Sequence, residues 1–427
     1  SLNHKRTGIR QSTLSAILVS TIIFLGFRDS GLRPLVPGQS WLLLLCIVLL
    51  GLFFIVNAQG RLKKNIAFST LSLSLIFLFT WSLINSFFSD FPVLSIQRSL
   101  MIFIPSILLF FTAGSINNPL CVILMLARII TWIVFIIIIT ALLVNVFGSL
   151  SSSEIGTQAA INIGPVSFSQ RMMGIPPFSR TGGYFGNPNT LSNWISFSIP
   201  LLFLLRGFVS IDRIKFYMML FFYLIGLFLT LSRTGIIASS IVILVFTFIS
   251  MKSNAARFLV IIFYIIALVP FLFFLTPYIG AEGRFSLSLN SRGDIWSIFF
   301  VYIYQNPLFG SGFGVSSESI LMQSNSEVYD SSAHSYYLMA LSEMGWLSGS
   351  IAILLLFFPI SYLIISSRRM LSSLDARLLR AALLSFFLVA ILLSFTETLL
   401  LRFSILNFLY FVFLGLSQNK NLWLSLK

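Results

Sequence analysis

Charge is scarce in this 427-residue chain: Asp, Glu, Lys and Arg make up 9% of it, against 57% hydrophobic residues. That ratio excludes a water-soluble globular fold of this length, which needs a charged, solvated surface. Histidine occurs twice, as His4 in a basic N-terminal stretch and as His334 far downstream. Chemistry that needs a neutral proton acceptor at physiological pH is therefore confined to one place. Cys46 and Cys121 both fall in apolar runs and are assigned toward opposite faces of a membrane, which argues against a disulfide and against a thiolate metal site. No Asp-x-Asp pair occurs in the loops, and no repeat of 20 to 50 residues recurs. The net charge of +15 is dispersed over short loops with no recognition module, so nucleic acid is not an expected partner.

Apolar and aromatic residues fill the chain instead, with 46 Phe and a mean hydropathy of +0.98. Runs long enough to cross about 30 Å of hydrocarbon fall near 14–27, 41–57, 66–84, 96–113, 120–147, 189–206, 215–231, 235–251, 258–275, 345–365, 381–397 and 402–417. The expected fold is all-α: a single polytopic membrane domain over 1–427 with twelve spans. His4, Lys5, Arg6 and Arg10 precede the first run, and no small-x-small site follows it, so it reads as an uncleaved anchor. With that end cytoplasmic, every lysine falls on the cytoplasmic side, both termini lie there, and the nine outward basic residues are all arginine.

Polar sequence concentrates in two outward segments, 148–188 and 276–344, which are expected to form the active site. The first closes with Arg180-Thr181-Gly182-Gly183-Tyr184-Phe185-Gly186-Asn187-Pro188-Asn189, a dense turn signal with Asn189 or Thr190 as candidate helix cap. The second carries Arg292-Gly293-Asp294-Ile295-Trp296, then Pro307-Leu308-Phe309-Gly310-Ser311-Gly312-Phe313-Gly314, then Ala333-His334-Ser335-Tyr336. Residues 293–305 have the spacing of an amphipathic helix at the outer interface. The glycine turn follows no strand and lacks a Lys-Ser/Thr ending, so it is not a nucleotide cradle. Arg233 ends a tight outward hairpin, where it either snorkels to headgroups or binds an anion. Glu343 reads as a carboxylate at the start of span ten or as an orienting partner of His334. Glu397 and Arg402 read as an ion pair flanking the last outer turn. Glu327 and Asp330 leave a divalent cation site open as an alternative.

Ser232-Arg233, Arg292 with Trp296, Pro307-Leu308-Phe309-Gly310-x-Gly312, Ala333-His334-Ser335-Tyr336 before Glu343-x-Gly345, and the Gly186-Asn187-Pro188-Asn189 turn together resemble the O-antigen ligase and polymerase superfamily. Ser335 departs from that pattern, which more often shows Asn. The resemblance implies an enzyme of the bacterial inner membrane that works at its periplasmic face. It would move a glycan from undecaprenyl pyrophosphate to a sugar hydroxyl, with inversion and with no metal or cofactor. The acceptor is lipid A core for a ligase or a second lipid-linked glycan for a polymerase, and Arg171 followed by Gly182 after ten intervening residues matches a spacing associated with polymerases. In this scheme His334 is the base, Arg233, Arg292 and Arg180 bind the pyrophosphate, and Glu343, Trp296 and Asn187 support them. A lipid-linked sugar flippase is the alternative of another class; it would place ionisable groups near the bilayer midplane and show paired halves.

Overall fold

The computed structural model describes residues 70–427 except 154–155, 164–165, 174–179, 186, 210–211, 252, 256, 263–290, 322–332, 367–372, 403 and 425–427. Spans 14–27 and 41–57 lie outside the described residues, as does most of 258–275. The helices are α1 (Thr70–Ser86), α2 (Pro92–Gly114), α3 (Pro119–Phe147), α4 (Pro188–Phe208), α5 (Arg213–Thr230), α6 (Arg233–Ser250), α7 (Ser291–Gln305), α8 (Tyr336–Ser366), α9 (Leu374–Leu393), α10 (Ile405–Gln418) and the short α11 (Lys420–Leu424). Among the described residues seven of these, α2 to α6, α8 and α9, are long and apolar enough to cross a membrane.

Local chemistry sets their starts. Proline occupies the first turn of α2, α3 and α4, where its missing N–H costs nothing. Side chains of Asn187, Asp212, Ser232, Ser373 and Ser404 cap α4, α5, α6, α9 and α10. The cap of α4 is thus Asn187, two residues ahead of the nearer expected position.

The helices sort by exposure. On α5, Ile214, Tyr217, Phe221, Leu224 and Phe228 form an exposed stripe at helical spacing, a face that only lipid can solvate without cost. By contrast α10, expected as span twelve, is buried at every residue from Ile405 to Ser417. Its 14 residues rise about 21 Å, too short to cross the hydrocarbon, so it forms the centre of the bundle and not a lipid-facing wall. It lies against α2 so closely that a Cβ on Gly415 would collide with the carbonyl of Phe110. Asn407 of α10 donates to Ser106 of α2 at 3.1 Å, and Ser196 of α4 meets Ser239 of α6 at 2.8 Å. Small and hydroxylated residues replace bulk at such crossings because lipid supplies no hydrophobic drive for helices to associate.

The described fold is mostly helical but not purely so. Between α3 and α4 an antiparallel meander replaces the expected irregular loop: β1 (Ser149–Ser153), β2 (Gly156–Ile163), β3 (Val166–Met173) and β4 (Arg180–Thr181), in that order. Phe168 pairs with Ile161 and Met172 with Thr181. Polar ties fix the sheet to α3: Gln170 donates to Ala141 O at 3.1 Å and to Asn145 Oδ1 at 2.6 Å, and Asn145 donates to Thr181 at 2.7 Å. The alternation Val166-Ser167-Phe168-Ser169 is the sequence signal that marks this strand, beneath a Gly, Ser and Pro content typical of loops.

Helix α8 starts at Tyr336, nine residues before the expected 345, and kinks at Gly345, whose φ of 75° is left-handed. A Cβ there would strike the carbonyl of Leu308, so glycine is required on both counts. The expected helix at 293–305 is present as α7, with Ile295, Phe299 and Ile303 buried along one face that packs on α8.

Candidate functional site

The polar side chains gather at the end of the bundle that carries the sheet, in two clusters joined by the 394–404 segment between α9 and α10. The first begins at the α5–α6 turn. Leu231 takes a left-handed φ of 46°, reversing the chain in two residues, and Ser232 then caps α6 so that Arg233 is its first residue. From β4, Arg180 donates Nε to the Thr230 carbonyl at 2.9 Å and Nη2 to Asn189 Oδ1 at 2.7 Å. Asn189 in turn donates Nδ2 to Glu397 Oε1 at 2.9 Å. An amide between a guanidinium and a carboxylate can face only one way, oxygen to arginine and nitrogen to glutamate.

Glu397 Oε1 also lies 3.7 Å from Arg292 Nη2, whose Nη1 donates to Thr396 O at 3.2 Å. Thr396 donates its hydroxyl to Thr234 on α6 at 2.8 Å, which ties the segment to the residue after Arg233. The positive charge of Arg292 acts on both Arg233 and His334. Burial, and then that charge, hold the His334 imidazole below the ordinary histidine value, so it is neutral at pH 7. Trp296, one turn along α7 from Arg292, donates Nε1 to the carbonyl of Ala333 at 2.8 Å, and the N–H of Tyr336 donates to Ser394 O at 2.9 Å. These two bonds bracket His334, which sits at a left-handed φ of 46°. A non-glycine residue held there is strained, and its neighbours maintain the strain.

The structure thus draws His334, Arg233, Arg292, Arg180 and Trp296 into one region. Asn187 contributes locally: its side chain accepts the Asn189 N–H at 2.9 Å and so sets the amide that joins Arg180 to Glu397.

Glu343 is placed elsewhere, and both expectations for it are corrected. It is 1% exposed within the first part of α8, where it neither caps a helix start nor approaches His334 through any described contact. Its Oε1 meets Arg402 Nη2 at 3.0 Å and accepts from Ser316 at 2.6 Å, while Oε2 accepts the Gly314 N–H at 2.8 Å. The expected Glu397–Arg402 pair is likewise replaced: Glu397 pairs with Arg292 and Arg402 with Glu343. Sequence neighbours are not spatial neighbours here, because Leu401 at φ 53° turns the segment between them.

Arg98 of α2 completes this second cluster, donating to the Gly314 carbonyl and, at 2.6 Å, to Glu318. Burial pushes the Glu318 carboxyl up, but Arg98, a backbone hydrogen bond and the charge of Arg402 together outweigh it and the net shift is down. Phe309 stacks on Phe88 and Trp81 with centroids 4.2 and 5.8 Å away, and Ser89 donates to Ser311 O at 2.6 Å. The glycine turn is therefore a clamped structural loop, and no anion cradle is needed to explain its glycines. Among the described residues no group of three or more His, Cys, Asp or Glu side chains converges as a metal site would require. Glu327 and Asp330 lie outside the described residues.

The molecule so described is a helical membrane protein with an arginine and histidine site at one end. A family model described as O-antigen ligase matches residues 218–353, and over that segment the resemblance to the O-antigen ligase and polymerase superfamily is shown. The match includes Arg233, Arg292, Trp296, His334 and Glu343, and leaves out Arg180, Asn189, Glu397 and Arg402. A search of curated proteins finds no match to the chain.

Proposed function

We propose that this protein is an inverting, metal-independent glycosyltransferase working at the periplasmic face of a bacterial inner membrane. Its donor is an undecaprenyl pyrophosphate-linked glycan and its acceptor a hydroxyl of lipid A core. The observation that carries this reading is one half-buried, neutral imidazole placed under the charge of Arg292, which also acts on Arg233, at the end of the bundle that carries the sheet. His334 takes the proton of the acceptor hydroxyl as its oxygen attacks the anomeric carbon. The bond from that carbon to the pyrophosphate oxygen breaks, and its electron pair leaves with the lipid pyrophosphate. Arg292, Arg233 and Arg180 stabilise the charge that grows there, since guanidinium forks match paired phosphate oxygens.

The test is transfer in vitro by purified, reconstituted protein, with lipid-linked glycan extracted from the source bacterium as donor and rough-type lipopolysaccharide as acceptor. Product should form with EDTA present, and His334→Ala should lose about 10²–10⁴-fold in rate, the usual contribution of a general base. Transfer at the wild-type rate by His334→Ala, or loss of transfer on chelation, overturns the reading.

A polymerase activity is the second reading, favoured by the Arg171 to Gly182 spacing across β3 and β4. It requires a ladder of lengthened lipid-linked products when the donor is supplied alone.

A further inference from the structure

Glu397 lies outside the family-matched segment, yet it is the one described carboxylate among the three site arginines. Its contacts fall on a single oxygen. Oε1 accepts from Asn189 at 2.9 Å and faces Arg292 at 3.7 Å, whereas among the described residues Oε2 has no hydrogen-bond partner. The side chain keeps 18% of its exposure, so that second oxygen is not sealed in the protein. A carboxylate with one oxygen tied down and the other accessible is a preformed acceptor. Its surroundings decide for what. Phosphate oxygens drawn in by the arginines are repelled by a carboxylate, so Oε2 cannot serve the pyrophosphate and must face a neutral group that donates. The hydroxyls of the sugar bonded to that pyrophosphate are such donors, and they come within one sugar of any group that touches Arg292.

Resting on the transfer reading above, we propose that Glu397 is a glycan-binding residue: Oε2 accepts a hydrogen bond from a hydroxyl of the sugar joined to the pyrophosphate, while Oε1 accepts from Asn189 and Arg292 is held by the Thr396 carbonyl. The site then has two halves, guanidinium for the leaving group and carboxylate for the sugar. This assigns a role in donor recognition to the 394–404 segment, which reaches the site through Thr396 and Glu397 and the second cluster through Arg402.

The experiment compares a ligand that has a sugar with one that has none. Donor KM is measured with the extracted lipid-linked glycan, and inhibition of the same transfer is measured with inorganic pyrophosphate. Glu397→Gln keeps shape but loses the charge, and should raise donor KM about tenfold to a hundredfold, the worth of a charge-assisted hydrogen bond. Its kcat should change less, and its pyrophosphate inhibition constant should stay within about twofold of wild type. Glu397→Asp keeps the charge but withdraws the oxygen by one methylene, should give an intermediate KM, and carries the same comparison if the Gln variant does not accumulate.

An unchanged donor KM overturns the proposal. So does a pyrophosphate constant that worsens in step with donor KM, since that is the mark of a residue that only positions Arg292. Failure of the wild type to transfer glycan, or its indifference to pyrophosphate, overturns the function proposed above, and this proposal with it.

Discussion

At the residue scale the site is a set of opposed pKa shifts. Burial and Arg292 lower His334, whereas burial raises Glu397 against the partial opposition of Arg292, Asn189 and Arg180. A lowered histidine stays neutral to more acid pH than usual and can accept a proton there. A raised glutamate begins to take up its proton closer to neutrality. Both losses therefore lie on the acid side, and the pH–rate profile should show a single acid limb with its midpoint below the ordinary histidine value. A rate that climbs on acidification would exclude His334 as base.

Arg292→Lys should rescue poorly, because one ammonium cannot bond Thr396 O, Glu397 and a phosphate in the guanidinium's planar arrangement. A loss of roughly 1.5–3 kcal/mol in donor binding is expected, the worth of a hydrogen bond to a charged group. Wild-type donor KM in the Lys variant would show that only charge matters.

At the element scale the glycine turn and the kinked start of α8 act as one clamp. Gly345→Ala must both leave a left-handed φ and displace the Leu308 carbonyl, where Trp346 N–H donates to Pro307 O at 2.7 Å beside it. The thermal midpoint in detergent should fall by an amount equivalent to at least about 1–3 kcal/mol, the cost of backbone strain alone. Arg402→Ala strands the buried Glu343 carboxylate with only Gly314 and Ser316 as donors, and should cost about 3 kcal/mol. Unchanged unfolding in either variant would remove the clamp from the account.

The sequence made α7 and the spanning helices legible, because apolar length and periodicity are local properties. It did not make the clamp legible, because its ionic partners are separated by 59 residues for Glu343 and Arg402 and by 220 for Arg98 and Glu318. Of the site, His334, Arg233 and Arg292 stood out as scarce charges beside polar turns. Glu397 and Asn189 did not, since one looked like the mate of Arg402 and the other like a helix cap. The only advance signal for Glu397 was its isolation, as an acidic residue between two apolar runs.

At the scale of the whole molecule, Asp294 is exposed at the site end, while Lys420 is exposed at the far end of α10 from the 394–404 segment. With Cys46 and Cys121 replaced, Asp294→Cys should react in intact spheroplasts with a membrane-impermeant thiol reagent, and Lys420→Cys only after lysis. Equal labelling of both would refute the orientation argued from the lysines.

What the sequence by itself determined is the solvent. A chain with 9% charge and 46 Phe must be dissolved in lipid, whereas the placement of its lysines yields only an expected orientation, which the labelling above tests. Those are sums over composition and need no contacts. Only the tertiary structure decided which charge meets which, that a short apolar run is the buried centre α10, and that a serine-rich loop is a sheet. Each depends on groups far apart in the chain approaching within hydrogen-bond distance, and no local pattern encodes that approach.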